Sequence, residues 1–172
     1  MTRPRWRPAY VALGSNLDNP RQHLVAAVED LHRMARTRVY RVSDVVQSKP
    51  LDGSDQPEYL NAVVGLLTAL DPHQLLDQLQ QIERRHGRQP DATRWSARPL
   101  DLDLLALGDI CVDEDALALP HPRMADRAFV IYPLAQIAPG LTLPGLGRVS
   151  RLAAAVDFSG LVAAGSLAVP RA

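Results

Sequence analysis

Apolar positions in the first part of the chain follow two different spacings, which predict a strand and then a helix. AYVALG at 9–14 is a short continuous apolar run, typical of a buried strand. Asp18 or Asn19 then offers a helix cap, and Pro20 is suited to a first helical turn. The apolar positions that follow recur at helical spacing to about residue 36; they are Leu24, Val28, Leu31 and Ala35.

The same alternation of spacings continues over the next fifty residues. β-Branched residues are frequent at 37–48 and predict a second strand, while Pro, Gly and Asp make 49–57 a loop. YLNAVVGLLTA at 59–69 predicts a third strand. Asp71 and Pro72 open a second helix that closes near Gly87. Its apolar positions are Leu75, Leu76, Leu79 and Ile82.

Two aspartates interrupt the apolar pattern of the next strand, within RWSARPLDLDLLAL at 94–107. Because alternate residues of a strand share a face, Leu102 and its apolar neighbours point inward while Asp101 and Asp103 point together to the other side. Two carboxylates roughly 5 to 7 Å apart raise one pKa unless a positive charge lies beside them. A divalent cation would supply that charge; the alternative is the acidic outer face of a half-exposed strand.

The order β, α, β, β, α, β predicts an α+β fold, a ferredoxin-like βαββαβ sandwich with helices on one sheet face and the other face free for a ligand. The turn at 108–109 leads into a short partner strand at 110–112, and 127–137 is expected to be helical. We therefore expect a C-terminal hairpin and helices added to the sandwich, one domain over 1–160, and a weakly ordered tail at 161–172.

Composition limits the classes of protein that this chain can represent. It has 172 residues, 47% apolar and 22% charged, which fits a globular domain with a sizeable core. Basic and acidic residues both number 19, so no overall positive charge predicts nucleic-acid binding. No segment is long enough to span a bilayer. The single cysteine, Cys111, excludes an intrachain disulfide, and we expect a cytoplasmic protein.

Lysine is nearly absent, which bears on how the chain would bind phosphate. Lys49 is the only one, and no glycine-rich loop precedes a lysine in the Walker pattern. Any phosphate group would therefore be bound by arginine, whose planar guanidinium can contact two oxygen atoms at once.

Four segments, in this order and with these separations, resemble the 6-hydroxymethyl-7,8-dihydropterin pyrophosphokinases of folate biosynthesis. They are DQPEYLNAVV (55–64), IERRHGR (82–88), RWSARPLDLDLLALG (94–108) and PHPRMADRAFVIYPLAQIAP (120–139). The resemblance implies a ferredoxin-like fold and transfer of a diphosphoryl group from ATP to the hydroxymethyl group of a reduced pterin. It also implies Mg²⁺, with two ions expected, a monomer, and a mobile loop around 88–98 that closes over the reactants.

The resemblance also implies roles for individual residues. Asp101 and Asp103 would bind the metal, and Asp103 would also orient the hydroxyl group or accept its proton. These two, with Arg88 and Arg98, form the expected catalytic set. The residues expected to contact ATP are Gln80, Glu83, Arg88, Arg94, Trp95, Arg98, His121 and Arg127. The residues expected to contact the pterin are Tyr59, Asn61, Trp95 and Phe129.

Asn61 is unusual even without reference to the family, because asparagine is depleted inside strands. Either a bulge or an edge position explains it, or its amide matches the donors and acceptors along the edge of a pterin. Tyr59 lies two residues earlier on the same strand face, and its ring is suited to stacking on a flat ligand.

Five residues depart from the family pattern: Pro90, Ser96, Ala97, Ala116 and Ala118. They bear on loop closure and on ATP affinity, but leave the aspartate pair unchanged. Two alternatives therefore stay open beside the pyrophosphokinase. One is a catalytically impaired paralogue that binds pterin or nucleotide, and the other is a metal-dependent nucleotide hydrolase that uses the same aspartates.

Overall fold

A computed structural model of the chain describes residues 5–89 and 97–171, in which four α-helices and ten strands occur. The strands are β1 (Arg7–Ser15), β2 (Thr37–Val42), β3 (Asp44–Ser48), β4 (Tyr59–Thr68), β5 (Asp101–Leu107), β6 (Val112–Glu114), β7 (Leu117–Leu119), β8 (Thr142–Leu143), β9 (Gly147–Arg148) and β10 (Val162–Ser166). The helices are α1 (Pro20–Arg33), α2 (Pro72–Arg85), α3 (Ala128–Ile137) and α4 (Val149–Ala154). A short 3₁₀ turn at Met124–Asp126 precedes α3.

Six strands form an antiparallel sheet in the order β10-β3-β4-β1-β5, in which β2 also pairs with β4. The segment 37–48 was predicted as one strand and is two, separated at Ser43. The reason is a contact with β4: the Val63 amide donates to the Ser43 hydroxyl oxygen at 2.8 Å, where a continuous strand would offer a carbonyl. β2 and β3 therefore pair with successive parts of β4.

The first two predicted helices begin where the sequence placed them. Pro20 is the first residue of α1, and Asn19 before it has a left-handed backbone and makes no side-chain capping bond. α1 ends three residues before the predicted limit, since the backbone leaves the helical conformation at Met34, which has φ of −59° and ψ of 134°. At α2, the Asp71 carboxylate accepts from the Gln74 amide and the Gln74 side chain accepts from the Asp71 amide, which forms a capping box.

The sheet has an apolar core on each face. On one face, β1 and β5 pack against α1 and α2; on the other, β1, β4 and β5 pack against α3. The second face is therefore not free along its whole length, as the sequence suggested, because apolar residues such as Val63 and Leu105 need cover from water. α3 leaves one end of this face uncovered, and the candidate site lies there.

Two C-terminal features differ from the sequence prediction. The short strand after β5 was expected to pair with it, but β6 pairs with β7 instead, and β8 and β9 form another hairpin. Gly108, with φ of 55°, turns the chain, and its amide donates to the Pro8 carbonyl at 2.7 Å. The segment 161–172, expected to be a weakly ordered tail, includes β10, which pairs with β3. Among the described residues, no helix has the length and apolar composition needed to cross a bilayer.

Candidate active site

The register of β4, β1 and β5 places small residues between polar ones on the open end of the sheet. Gly14 lies opposite Asn61 on one side and opposite Asp101 on the other. In the next row on the same face, Ala12 lies opposite Asp103. Because neither Gly14 nor Ala12 carries a long side chain, the centre of this surface is low and the polar side chains stand around it.

These rows form the floor of a cavity of about 410 Å³. Nine residues proposed from the sequence line it: Tyr59, Asn61, Arg88, Arg98, Asp101, Asp103, His121, Arg127 and Phe129. The sequence argument did not single out several other lining residues, among them Ala12, Gly14, Lys49, Leu51, Asp52, Gln56 and Arg123. Arg94 and Trp95, together with Pro90 and Ser96, lie outside the described residues.

Ion pairs connect the two aspartates to three arginines. Asp101 Oδ1 lies 3.0 Å from Arg98 Nη1 and 3.2 Å from Arg88 Nη1. Asp103 Oδ2 lies 3.2 Å from Arg127 Nη1. The arginines come from three parts of the chain: the end of α2, the segment before β5 and the segment before α3. We call this group, Asp101 and Asp103 with Arg88, Arg98 and Arg127, the carboxylate end of the cavity.

The electrostatics of the aspartate pair fit a cation. Burial, and next the charge of Asp101, raise the pKa of Asp103 above its ordinary value, while Arg127 opposes this shift. A hard cation held by both carboxylates would relieve this cost. Among the described residues, no cluster of three or more carboxylate, histidine or cysteine side chains gathers to hold a metal ion. The two carboxylates therefore fit an ion whose remaining coordination positions would be filled by substrate phosphates and water.

His121 is uncharged at neutral pH. Burial, followed by the charges of Arg127 and Arg123, lowers the pKa of His121 to about 4. The Arg123 amide donates to Nδ1 of His121 at 3.2 Å, so Nδ1 is the acceptor and Nε2 carries the proton. His121 thus offers the cavity a neutral hydrogen-bond donor.

Glu83 has a structural position that its helical spacing did not reveal. Its side chain is buried, Oε1 accepts from the Leu102 amide at 2.7 Å, and the other oxygen pairs with Arg88. Burial is the main cause of the raised pKa of Glu83. Glu83 therefore connects α2 to β5 and holds Arg88 beside Asp101. Gln80, one turn earlier, is exposed and does not line the cavity.

Asn61 is buried. The side-chain hydrogen bonds that it makes to described residues all come from its amide nitrogen. Nδ2 donates to the Ser48 hydroxyl at 2.8 Å, to the Val46 carbonyl at 3.3 Å and to the Tyr59 carbonyl at 3.4 Å. Carbonyl oxygens only accept, so the side-chain orientation is determined and Oδ1 is the atom on the Gly14 side. We call Asn61, Ser48, Tyr59 and the lining residue Phe129 the amide end of the cavity.

Asn16 joins three of the segments around the cavity, and the sequence analysis did not identify it. Its Nδ2 donates to the Pro57 carbonyl at 3.1 Å and to Gln56 Oε1 at 3.3 Å, and its Oδ1 accepts from the Arg98 amide at 3.1 Å. Asn16 is almost fully buried. The only sequence signal was a run of turn residues that begins with Gly-Ser-Asn at the end of β1, which also suits an ordinary strand-to-helix connection.

Comparison with known proteins finds a sequence match over most of the chain. Residues 10–139 match the sequence model of the family described as 7,8-dihydro-6-hydroxymethylpterin-pyrophosphokinase (HPPK). The chain is 47% identical over 152 residues to the 2-amino-4-hydroxy-6-hydroxymethyldihydropteridine pyrophosphokinase of Pseudomonas aeruginosa, covering 88% of this chain and 93% of that protein. The protein of the same name from Haemophilus influenzae is 43% identical over 144 residues, which cover 84% and 89%.

Solved structures agree at the level of the fold. The HPPK-DHPS chain of Plasmodium falciparum crystallised with pteroate superposes with a TM-score of 0.69 at 12% sequence identity. The match covers 90% of this chain and 44% of that one, so this chain spans less than half of the Plasmodium protein. A second crystal structure of that protein, with STZ-DHP, gives a TM-score of 0.70 at 11% identity.

Proposed function

The chain belongs to the 7,8-dihydro-6-hydroxymethylpterin pyrophosphokinase family, and on that premise we propose that it diphosphorylates 6-hydroxymethyl-7,8-dihydropterin at the expense of ATP. The products are the pterin diphosphate and AMP, in folate biosynthesis. The observation that carries the proposal is that Asp101, Asp103, Asn61 and four arginines line one and the same cavity.

The reaction joins the two substrates at one phosphorus atom. The hydroxyl oxygen of the pterin attacks the β-phosphorus of ATP, the bond from that phosphorus to the oxygen it shares with the α-phosphate breaks, and AMP leaves with this oxygen. The hydroxyl proton needs an acceptor. Asp103 is our candidate, because its carboxylate lines the cavity. Most of the catalysis is positioning and stabilisation of charge.

Asp101 and Asp103 are the residues that would hold Mg²⁺, and we expect two ions. When bound, Mg²⁺ would neutralise negative charge on the phosphates and orient them. Arg88, Arg98 and Arg127 pair with these same carboxylates. A carboxylate oxygen that binds a cation pairs less strongly with arginine, so the guanidinium groups become available to phosphate oxygens. The carboxylate end would then exchange its internal ion pairs for contacts with the substrate.

The amide end is our candidate for the pterin site. Asn61 Oδ1 would accept from an N–H group on the pterin edge, while Tyr59 and Phe129 would lie against its flat ring. For ATP we propose the arginines of the carboxylate end with His121, whose Nε2–H would donate to a phosphate oxygen. Gln80, Glu83, Arg94 and Trp95 remain proposed nucleotide contacts, and Trp95 a proposed pterin contact as well.

The remaining features of the proposal concern the whole chain. The sheet order supports assignment to the ferredoxin-like class, since β5, β1, β4 and the β2–β3 pair follow the order of a split βαβ sandwich. We propose one catalytic domain over 1–160, with β10 of the following segment added to the edge of its sheet. We also propose a cytoplasmic location and a monomeric state.

One assay tests the function against both alternatives. Purified protein is incubated with ATP and Mg²⁺, with and without reduced hydroxymethylpterin, and AMP and the pterin diphosphate are measured. We expect both products only when the pterin is present. ATP breakdown at the same rate without pterin would indicate a nucleotide hydrolase. Calorimetric binding of both ligands without turnover would indicate an impaired paralogue.

A further inference from the structure

The C-terminal strand β10 lies beside the part of the sheet that carries the amide end of the cavity. It pairs antiparallel with β3, with Ala163 opposite Val46 and Val162 opposite Gln47. On its other side β3 pairs with β4, where Val46 lies opposite Asn61. β10 does not line the cavity, and it lies outside the four segments on which the family resemblance rests. The proposed reaction therefore gives it no role.

Asn61 depends on β3 for its orientation. Two of the three acceptors of its Nδ2, the Ser48 hydroxyl and the Val46 carbonyl, belong to β3. β3 is five residues long, and it pairs with β4 over residues 46–48. Without β10 it would be an edge strand, whose outward N–H and C=O groups have no partner strand. A displacement of β3 would move both acceptors away from Asn61.

Side chains and backbone together hold β10 in place. The Arg21 guanidinium, in the first turn of α1, donates to the Ser166 carbonyl at 3.2 Å and also to the Ala164 carbonyl. Ala164 and Leu167 pack against the apolar core under α1 and α2. Gly165 lies at an irregularity of the register with φ of 84°, and a Cβ there would lie 3.1 Å from Arg21 Nη2. Glycine is therefore the residue that fits beneath the arginine.

We propose that β10 is a positioning element for the amide end: by covering β3 it holds the acceptors that orient Asn61, and through Asn61 it sets the affinity for the pterin. The second step rests on the proposed pterin site. Asp44, at the far end of β3, exchanges hydrogen bonds with Gln136 of α3, so β3 keeps one anchor without β10 and the loss should be partial. Covering an edge strand also limits aggregation, but that role alone would not act on Asn61.

Two variants test the proposal. One is Arg21→Gln in the full-length chain, with Arg33→Gln as the matched control, because Arg33 is an exposed arginine near the other end of α1. The other is a truncation that removes residues 161–172 and with them β10. Its control removes only 168–172 and keeps β10 and Leu167.

Calorimetry measures the binding of reduced hydroxymethylpterin and of ATP with Mg²⁺ to each variant. We expect the loss of β10 to weaken pterin binding about 3- to 10-fold relative to its control, the order of one net hydrogen bond. Arg21→Gln should act in the same direction with a smaller effect, and Arg21→Lys, which keeps a charged donor, should recover part of it. ATP binding should stay nearly unchanged, because its proposed contacts lie on other segments.

Hydrogen exchange in the ligand-free protein, followed by nuclear magnetic resonance, measures the orientation of Asn61 directly. The side-chain amide of Asn61 should exchange at least ~5-fold faster without β10 than in the control, because its acceptors separate from it through local opening. The backbone amide of Val11, buried in the centre of β1, is the reference for global unfolding and should change less.

Equal acceleration at Asn61 and Val11, or unchanged exchange at Asn61 in the truncated chain, would overturn the proposal. Equal losses of pterin and ATP affinity would overturn it as well. If the truncated chain does not fold, Arg21→Gln decides by the same criteria, since its exposed contacts are not needed for the core. A wild type that binds no pterin would instead reject the proposed function, and the exchange rates would still decide whether β10 orients Asn61.

Discussion

The two ends of the cavity are held in place by different kinds of interaction. At the amide end, Asn61 is oriented by hydrogen bonds to β3 and to its own strand, which pair with each other in any case. At the carboxylate end, the aspartates of β5 are paired with arginines from three separate segments. One end is built from neighbouring strands, and the other depends on the tertiary fold.

This difference suggests what each end can do. The amide end has its donors committed, so it can offer a fixed acceptor without rearranging, which suits recognition of a rigid flat ligand. The carboxylate end holds two nearby negative charges, and the pKa of Asp103 is raised by burial and by Asp101. Its ion pairs can be exchanged for a cation and phosphates, which suits chemistry in which charge moves.

The largest effect should come from the aspartates. Replacing Asp101 or Asp103 by Asn keeps size and strand pattern but removes a charge that binds the cation. We expect turnover to fall at least ~10²-fold, the scale seen when a preorganised electrostatic partner is lost. Rates across a Mg²⁺ titration measure this. Raising Mg²⁺ should recover more activity for Asp101→Asn than for Asp103→Asn, since Asp103 also handles the proton.

Thermal melts without metal are the control for this prediction. Both variants should fold, because Leu102 and Leu104 on the opposite face of β5 are unchanged. Near-normal rates in either variant would mean that the pair is only the acidic face of a strand. Unfolding of both would mean that the pair is structural.

The arginines should show the next largest effect. Arg98→Gln removes a charge that contacts Asp101 and is proposed to bind phosphate. We expect kcat to fall by about 10²-fold and KM for ATP to rise less, because negative charge on the transferred group is greatest in the transition state. Arg88→Gln should act in the same direction. Arg33→Gln, on the exposed side of α1, is the matched control. An effect confined to KM would make these arginines ground-state binders.

The amide end should respond selectively. Asn61→Ala should weaken pterin binding by about 1 to 3 kcal/mol, since a polar group of the ligand loses its acceptor, and should leave ATP binding nearly unchanged. Calorimetry with each ligand measures this. Ser48→Ala removes a partner of Asn61 Nδ2 but keeps Oδ1, so its effect should be smaller. Equal losses for the two ligands would contradict a division of the cavity into two ends.

The smallest effect should appear in the pH dependence of stability. With the pKa of Asp103 raised in the folded state, the folded chain binds more protons than the unfolded chain between the ordinary and the raised value. The free energy of unfolding contributed by this group therefore falls as pH rises through that interval. Asp103→Asn removes this contribution, so its stability relative to wild type should increase with pH. Denaturant titrations of the metal-free proteins measure the difference, and parallel curves would refute it.

Much of the core and site was predictable because it depends on local patterns. β1, β4, β5, α1 and α2 follow from runs of apolar residues and from Pro20, Asp71 and Pro72 at the helix starts. Alternation along β5 correctly placed Asp101 and Asp103 on the face opposite Leu102 and Leu104. These effects act between residues that are close in sequence, so they can be predicted from one amino-acid sequence alone.

Other features depended on which distant segments meet. The break at Ser43 requires Val63, the burial of Glu83 requires the Leu102 amide, and the role of Asn16 requires Gln56, Pro57 and Arg98. None of these contacts has a periodic signal, because each joins residues at least 19 positions apart. β10 likewise becomes a strand beside β3, in a segment whose own sequence favours no structure strongly.

By itself the sequence determined the main strands and helices from β1 to β5 apart from the break at Ser43, the family, and the placement of two aspartates on one strand face, because side-chain periodicity and short motifs are local properties. Only the tertiary structure decided that α3 covers part of the second sheet face and leaves the remainder as a cavity. It alone decided which arginine pairs with which aspartate, and that β10 covers β3. Burial and charge depend on every segment packed around a residue, and those segments are brought together only when the chain folds.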